Sequence, residues 1–400
     1  MASKKIAVNH VKPSDTIDTI DTIDNTNANE VLSEDTQTTV QNSEHPERTT
    51  QMNAQNNEHI ERNEAEINIL ETKYTPDDDN VRKIAIDLGS SNLKIVGLLN
   101  NELKFKKLKS KVSLDSMDKN YVVSTSQNKL CFNVGDSLIQ QDKTKREYIA
   151  ETVLLAVNLI YGAGKFNIDL ALGLPLDLYK SNYKKQSFEN KLQSIFSSPL
   201  KGKVNDEDME VTVNTYLVCA EGYSSFLSLS NKLDFSTPIA IFDMGYRTTD
   251  ILMIDFDLDT KIPSISQYGT INQGLYEVFD DIQKKFLDDT GILLENNIIE
   301  SRLINAPKVN TDEGVVDLND WIKYGSHTIK TIFNTMNLRY NDIYDRTIYL
   351  VGGGAFIVNT IIQDMLTNNT IDKRTTVKLS GTLNESIYAN AVGYYHQLLD

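Results

Sequence analysis

The chain has 400 residues, 40% of them hydrophobic, with 40 Lys and Arg against 56 Asp and Glu, for a formal net charge of −16. That length predicts about two or three domains, and the acidic balance excludes a basic nucleic-acid-binding face. Five histidines, of which only His327 and His396 lie beyond residue 80, exclude a histidine-rich metal site and a serine–histidine triad.

The first 80 residues hold 6 Lys and Arg against 17 Asp and Glu, contain no glycine, and have Tyr74 as their only aromatic residue. Asp-Thr-Ile repeats three times from Asp15, a period that suits neither helix nor strand. A segment this polar cannot bury enough apolar surface to offset its ordering entropy, so residues 1–80 are predicted to be a disordered acidic tail. His59–Leu70 is predicted at most as a transient helix, and Pro76–Asn80 as the boundary. The start lacks the apolar run of a signal peptide, and no apolar window of about 18 residues occurs, so no membrane association is expected. Cys131 and Cys219 fit a reducing cytoplasm as small buried residues.

The body opens with Lys83–Gly97, KIAIDLGSSNLKIVG, which reads as strand, tight turn and strand. Asp87 ends the first strand. Gly89, Ser90, Ser91 and Asn92 form a turn read as leaving its amides open to a phosphate, with Lys94 of the second strand adding a positive charge there, against the alternative of a plain β-hairpin with a polar turn. Asp87 is placed to hold a hydrated magnesium ion. Further strands are predicted at Leu103–Leu108, Lys129–Asp136 and Ile168–Leu174, helices at Glu147–Ile160 and Tyr179–Phe196, and a hairpin at Lys203–Tyr216. Leu217–Leu229 reads as an apolar helix start. Glu221 is the only charge between Tyr216 and Lys232, which is costly without a partner. It is read as the residue that orients an attacking water, against the alternative of an acid that complements a helix dipole.

A second hairpin of the same design lies at Pro238–Ile254, PIAIFDMGYRTTDILMI, with Asp243, Gly245 and the hydroxyls Thr248 and Thr249. A strand at Ile262–Gly269 follows, then helices from Gly274, from Leu293 to Leu303, and a long one over Val315–Met336 carrying Trp321. Strand Thr347–Val351 runs into Gly352, Gly353, Gly354 and Ala355, where a helix N-terminus offers free amides to phosphate or ribose. Strand Val377–Leu379 and helix Glu385–Leu398 close the chain. Ala389, Ala391 and Gly393 permit close packing of that helix, which is expected to return to the first domain.

Two Asp-Gly-hydroxyl hairpins followed by strand-GGGA-helix is the order of the actin, sugar-kinase and DnaK-type chaperone superfamily. DLGSSNLK (87–94), DMGYRTTD (243–250), VGGGA (351–355), YANAVGYY (388–395) and ALGLPLDLY (171–179) together resemble bacterial actin-like ATPases of the ParM/Alp type over roughly residues 81–400. Tyr246-Arg247 departs from the small residues many relatives carry, and Arg247 is a further candidate to approach a phosphate. The resemblance implies an α/β, actin-like (ribonuclease-H-like) fold with nucleotide in the interdomain cleft. Domain I is expected over 81–230, with helix 380–400 returning to it, and domain II over 231–379. It further implies ATP (or GTP) and Mg2+ as cofactors, with Asp87 and Asp243 on the metal and Glu221, Asp87 and Asp243 as the catalytic set. The phosphate and nucleoside contacts would be Gly89, Ser90, Ser91, Asn92, Lys94, Gly245, Thr248, Thr249, Gly274, Gly352, Gly353, Gly354 and Ala355. Self-assembly into a head-to-tail filament follows from the family, as does a DNA-binding adaptor protein that links it to a plasmid, without direct nucleic-acid contact. The competing readings are a small-molecule kinase of the same superfamily and a non-segregating bacterial cytoskeletal actin.

Overall fold

The computed structural model describes residues 81–114, 121–133, 142–234, 236–257, 263–312 and 314–399. The predicted tail, its transient helix and the end of the strand at Asp136 lie outside these residues. The first half runs β1 (Val81–Leu88), β2 (Asn92–Leu99), β3 (Glu102–Lys109), β4 (Val112–Ser113), β5 (Tyr121–Ser124), β6 (Lys129–Phe132), α1 (Ile149–Tyr161) and β7 (Gly164–Leu174). It continues through α2 (Leu176–Lys180), α3 (Asn182–Ile195), β8 (Leu200–Val204), β9 (Glu207–Ala220) and α4 (Tyr223–Leu229). The second half has β10 (Ile239–Met244), β11 (Thr249–Phe256), β12 (Pro263–Ile271), α5 (Leu275–Thr290), α6 (Asn296–Asn305), β13 (Lys308–Thr311) and β14 (Gly314–Asp317). Then come α7 (Asn319–Ile322), α8 (Ser326–Arg339), β15 (Thr347–Val351), α9 (Ala355–Thr367), β16 (Thr376–Leu379) and α10 (Leu383–Gln397).

The two halves repeat one topology. β3-β2-β1-β7-β9 in the larger sheet and β12-β11-β10-β15-β16 in the smaller one share the same order: an antiparallel meander whose first strand continues into parallel neighbours. Parallel strands need both faces covered, and the side-chain alternation reports this. Ile84, Ile86 and Leu88 of β1 enter one core with α1, while Ala85 enters another with Ala391, Val392 and Tyr395 of α10. In β10, Phe242 and Met244 face the α5, α8 and α9 core, and Ile239 and Ile241 face α4. Asp87 and Asp243 therefore lie on the same strand faces as Ala85 and Ile241, turned toward α10 and α4.

Helix α10 packs on β1, β2, β7 and α4. It approaches α4 closely at Gly393, where a Cβ would stand 1.9 Å from the Ser224 carbonyl oxygen. Cys131 and Cys219 are both buried. Among the described residues, no helix is long and apolar enough to cross a membrane.

Three sequence readings are corrected. Val315–Met336 is not one helix: Val315 and Val316 pair with Asn310 and Val309 in a hairpin. The helix that follows is broken near Gly325, which packs so closely on α5 that a Cβ there would meet Val278 at 2.6 Å. Trp321 stands edge-on to Phe286, and its Nε1–H donates to Asp289 at 2.9 Å. The helix at Tyr179–Phe196 starts earlier and divides at Ser181, whose hydroxyl accepts from the Lys184 amide as an N-cap. Leu217–Ala220 belongs to β9, paired in parallel with β7, so Glu221 stands at a strand end and not inside a helix.

Candidate functional site

The two hairpins place their acids at equivalent registers. Asp87 is opposite Lys94 across β1 and β2, and Asp243 is opposite Asp250 across β10 and β11. One hairpin is thus internally neutralised and the other is doubly acidic. Each turn is tied by backbone geometry. At Gly89 a Cβ would stand 2.3 Å from the Asn92 carbonyl oxygen. The Gly245 amide donates to the Thr248 carbonyl at 2.9 Å. The second turn is also joined to α5, since the Leu275 and Tyr276 amides donate to the carbonyls of Gly245 and Tyr246 at 3.0 and 2.8 Å.

Asp87, Gly89, Ser90, Ser91, Asn92, Lys94, Glu221, Asp243, Gly245, Thr248 and Gly353 line one cleft between the halves. Thr249, Gly274, Gly352, Gly354 and Ala355 do not line it. The Thr249 hydroxyl donates to the Gln273 carbonyl at 2.9 Å, which turns it away from the cleft. Gly352 (φ +88°) is packed under Asp243: a Cβ there would be 2.5 Å from the carboxylate Oδ1. Gly354 is packed on Leu275 and Gly274 on the Gly245 carbonyl, at 2.3 and 2.6 Å for an added Cβ. These glycines shape the cleft floor by close approach.

Lys143, Asn390, Glu300 and Asp250 were not expected in the cleft from the sequence, whereas Arg247 was. Lys143, buried in a single 3-10 turn at Lys143–Lys145, donates to Glu221 Oε1 and lies 3.5 Å from Asp87 Oδ1. Asn390 of α10 donates its Nδ2–H to Asp243, while its Oδ1 accepts from the Gly222 amide at 3.0 Å and the Ser225 hydroxyl at 2.8 Å. One amide thus ties α10 to both Asp243 and the turn that carries Glu221. Glu300 of α6 reaches across the cleft, accepting from Lys109 at 3.0 Å and from the Ser91 hydroxyl at 3.4 Å. Asp250 and Arg247 complete the charged lining. Nothing local marks Lys143 or Glu300 in the sequence; the small-residue run around Asn390 was the one usable signal.

Burial pushes the Asp87 carboxyl up, but the ammonium groups of Lys94 (2.7 Å) and Lys143 more than offset this and hold it at about 2. Burial raises Glu221 to about 7 against the pull of Lys143, with the charge on Asp87 adding to the rise. Burial likewise raises Asp243, and it raises Asp250 well above its ordinary value, with the charge on Glu221 adding to the rise. Burial therefore favours the neutral forms of Glu221, Asp243 and Asp250, while Asp87 is held ionised by its two lysines. A hydrated magnesium ion takes only one or two carboxylates, with water and phosphate oxygens as its other ligands, and among the described residues no cluster of three or more candidate metal ligands occurs. The open turns on either side suit a polyanion chain.

An acid whose pKa rises on folding is more protonated in the folded state, so stability falls as pH rises between its unfolded and folded values. For ligand-free protein, Glu221 should cost stability between pH 4.5 and about 7, worth up to roughly 3 kcal/mol at about 1.4 kcal/mol per unit. Thermal midpoints of wild type and Glu221→Gln from pH 4.5 to 8 should diverge, with the Gln variant gaining relative stability at the high end. Parallel curves would contradict this.

Two family models match the chain: one for the N-terminal domain of actin-like proteins over residues 85–223, and one for the C-terminal part of an MreB-like archaeal actin homologue over 241–364. Among solved structures, a 15-stranded ParM filament from Clostridium botulinum is 22% identical, covering 80% of this chain and 99% of that one, with a TM-score of 0.56. An archaeal actin homologue in complex with ADP is 16% identical over 79% and 99% of the two chains, with a TM-score of 0.61. Bacillus thuringiensis ParM with AMPPNP is 13% identical over 80% and 99%, with a TM-score of 0.56. At these identities the structural likeness is one of fold. No curated protein sequence matches the chain.

Proposed function

Because the chain belongs to the actin-like proteins, we propose that it is a cytoplasmic, magnesium-dependent ATPase (or GTPase) whose nucleotide state governs assembly into filaments. Its role would be to segregate plasmid DNA through a DNA-binding adaptor. The observation that carries this reading is the repeated hairpin pair: Asp87 and Asp243 at matching registers on facing sheets, with Glu221 in the same cleft. Residues 81–230 with α10 would act as one domain and 231–379 as the other.

Asp87 and Asp243 would hold the hydrated magnesium ion, which supplies charge neutralisation at the phosphate oxygens. The amides and hydroxyls of Ser90, Ser91 and Asn92, with Lys94, would hold the phosphate chain from one side, and Gly245 and Thr248 from the other. Thr249, Gly274, Gly352, Gly354 and Ala355 would serve this site by packing beneath it. Phosphoryl transfer needs positioning more than covalent chemistry from the protein. Glu221 is suited to orient water because its carboxylate is fixed by Lys143, and the turn behind it by Asn390. A nucleotide seated between two halves biases their angle, and a head-to-tail contact that does not close produces a filament. The ParM filament among the similar structures supports the assembly part of the reading. The match to archaeal actin homologues favours a second reading, a cytoskeletal actin with no plasmid cargo.

Sedimentation and negative-stain microscopy with Mg-ATP, Mg-GTP, a non-hydrolysable analogue and no nucleotide test this directly. Filaments are expected only with nucleotide and above a critical concentration, accompanied by phosphate release. Phosphate release with no polymer at any concentration would move the assignment to the kinase class.

A further inference from the structure

We infer that Arg247 is a phosphate-binding residue of this cleft, held for that task by the face of Tyr276. The inference rests on the nucleotide reading above and adds a second phosphate-binding cation, from the turn of the second hairpin, to Lys94 of the first.

Arg247 sits at the tip of the turn between β10 and β11 and lines the cleft. Its guanidinium carbon lies over the Tyr276 ring at 3.9 Å from the centroid, with the Tyr246 ring at 5.7 Å. That platform is tied to the turn that carries Arg247. The Tyr276 amide donates to the Tyr246 carbonyl at 2.8 Å, and the two rings meet edge-on at 5.8 Å. Tyr246 is braced in turn by Phe279 at 6.5 Å. A stacked guanidinium keeps its in-plane N–H donors free while its face is occupied.

One of those donors, the Nε of Arg247, is buried without a partner. Among the described residues that line the cleft, Lys94 is engaged by Asp87 and Lys143 by Glu221 and Asp87, whereas Arg247 has no carboxylate within ion-pair distance. A buried N–H left unsatisfied is costly, and guanidinium donors match phosphate oxygens in fork geometry. A purely structural arginine would be expected to close a hydrogen bond within the protein. This one is stacked on Tyr276, has no carboxylate partner among the described residues, and lines the cleft together with Gly245 and Thr248. The ligand chemistry it fits is the di- or triphosphate chain of a nucleotide.

The test is affinity for Mg-ADP and Mg-AMPPNP in the full chain, for wild type, Arg247→Met, Arg247→Lys and Tyr276→Leu. Arg247→Met should weaken Mg-AMPPNP binding by at least about tenfold. Arg247→Lys should recover part of that loss, because it keeps the charge without the planar fork. Tyr276→Leu keeps the charge but removes the platform, so it should lie between wild type and Arg247→Met. The ligand-free thermal midpoint of each variant is read alongside and should stay close to wild type. Wild-type affinity in Arg247→Met would overturn the inference, and so would losses in all three variants that merely track a fall in the ligand-free midpoint. If wild type itself bound neither nucleotide, the nucleotide reading would fall and this inference with it. A wild type that binds, with an Arg247→Met variant that binds equally, removes only Arg247.

Discussion

Glu221→Gln should bind nucleotide and assemble, yet release phosphate roughly 10²- to 10³-fold more slowly, in the range of a lost proton-accepting or water-orienting group. The argument is geometric. The Glu221 amide is anchored to the Leu174 carbonyl at 2.9 Å at the end of β9, and its side chain is held by Lys143. Gln is nearly isosteric, so the anchor and the cleft shape survive while the anionic acceptor is lost. The relevant measurement is single-turnover phosphate release, paired with polymer yield in Mg-ATP. Slow release with normal or longer-lived polymer is the expected pair of results. Unchanged release would take Glu221 out of the reaction, and weak nucleotide binding would assign it to the binding step.

The second large effect is expected in Gly393→Ala. A single methyl group there would sit 1.9 Å from the Ser224 carbonyl oxygen and 2.4 Å from its carbon. Backbone cannot rotate aside as a side chain can, so α10 must move away from α4. Overpacking of this kind costs about 1–3 kcal/mol and sometimes more. Here the displacement also carries Asn390 away from Asp243, the Gly222 amide and the Ser225 hydroxyl, leaving buried polar groups unpaired at about 1–3 kcal/mol each. Thermal unfolding should show a fall in midpoint of at least about 5 °C, together with weaker nucleotide affinity. Gly353→Ala is the control for stability, since a Cβ there meets nothing within 4 Å. Equal midpoints for the two variants would mean that α10 is not tightly docked.

The Gly393 case also marks how far the sequence could be read. Alanine and glycine at 389, 391 and 393 are visible as small positions, and small positions predict close approach. What they approach was not visible, because Ser224 and Gly393 lie far apart in the chain. The Val315–Met336 misreading has the opposite origin. Its apolar spacing suits a helix locally, but pairing of Val315 and Val316 with a strand and the tight seat of Gly325 on α5 override that preference. Glu221 was found as an isolated charge in an apolar run, yet its place at a strand end depends on the parallel pairing of β9 with β7.

What the sequence determined by itself are the features encoded over a few residues: the two hairpins with Asp87 and Asp243 before their glycine turns, the strand that enters Gly352–Ala355, and the order in which they occur. Turn chemistry and strand alternation act between near neighbours, so they can be read without a partner. Tertiary structure alone decided which charges meet. Lys143 reaches Glu221 across 78 positions, Asn390 reaches Asp243 across 147, and Lys109 reaches Glu300 across 191. It also decided that Gly352 and Gly354 pack beneath the cleft while Gly353 faces it. Such pairings depend on how two sheets and α10 are brought together by burial, and burial is a property of the assembled core that no local run of residues specifies.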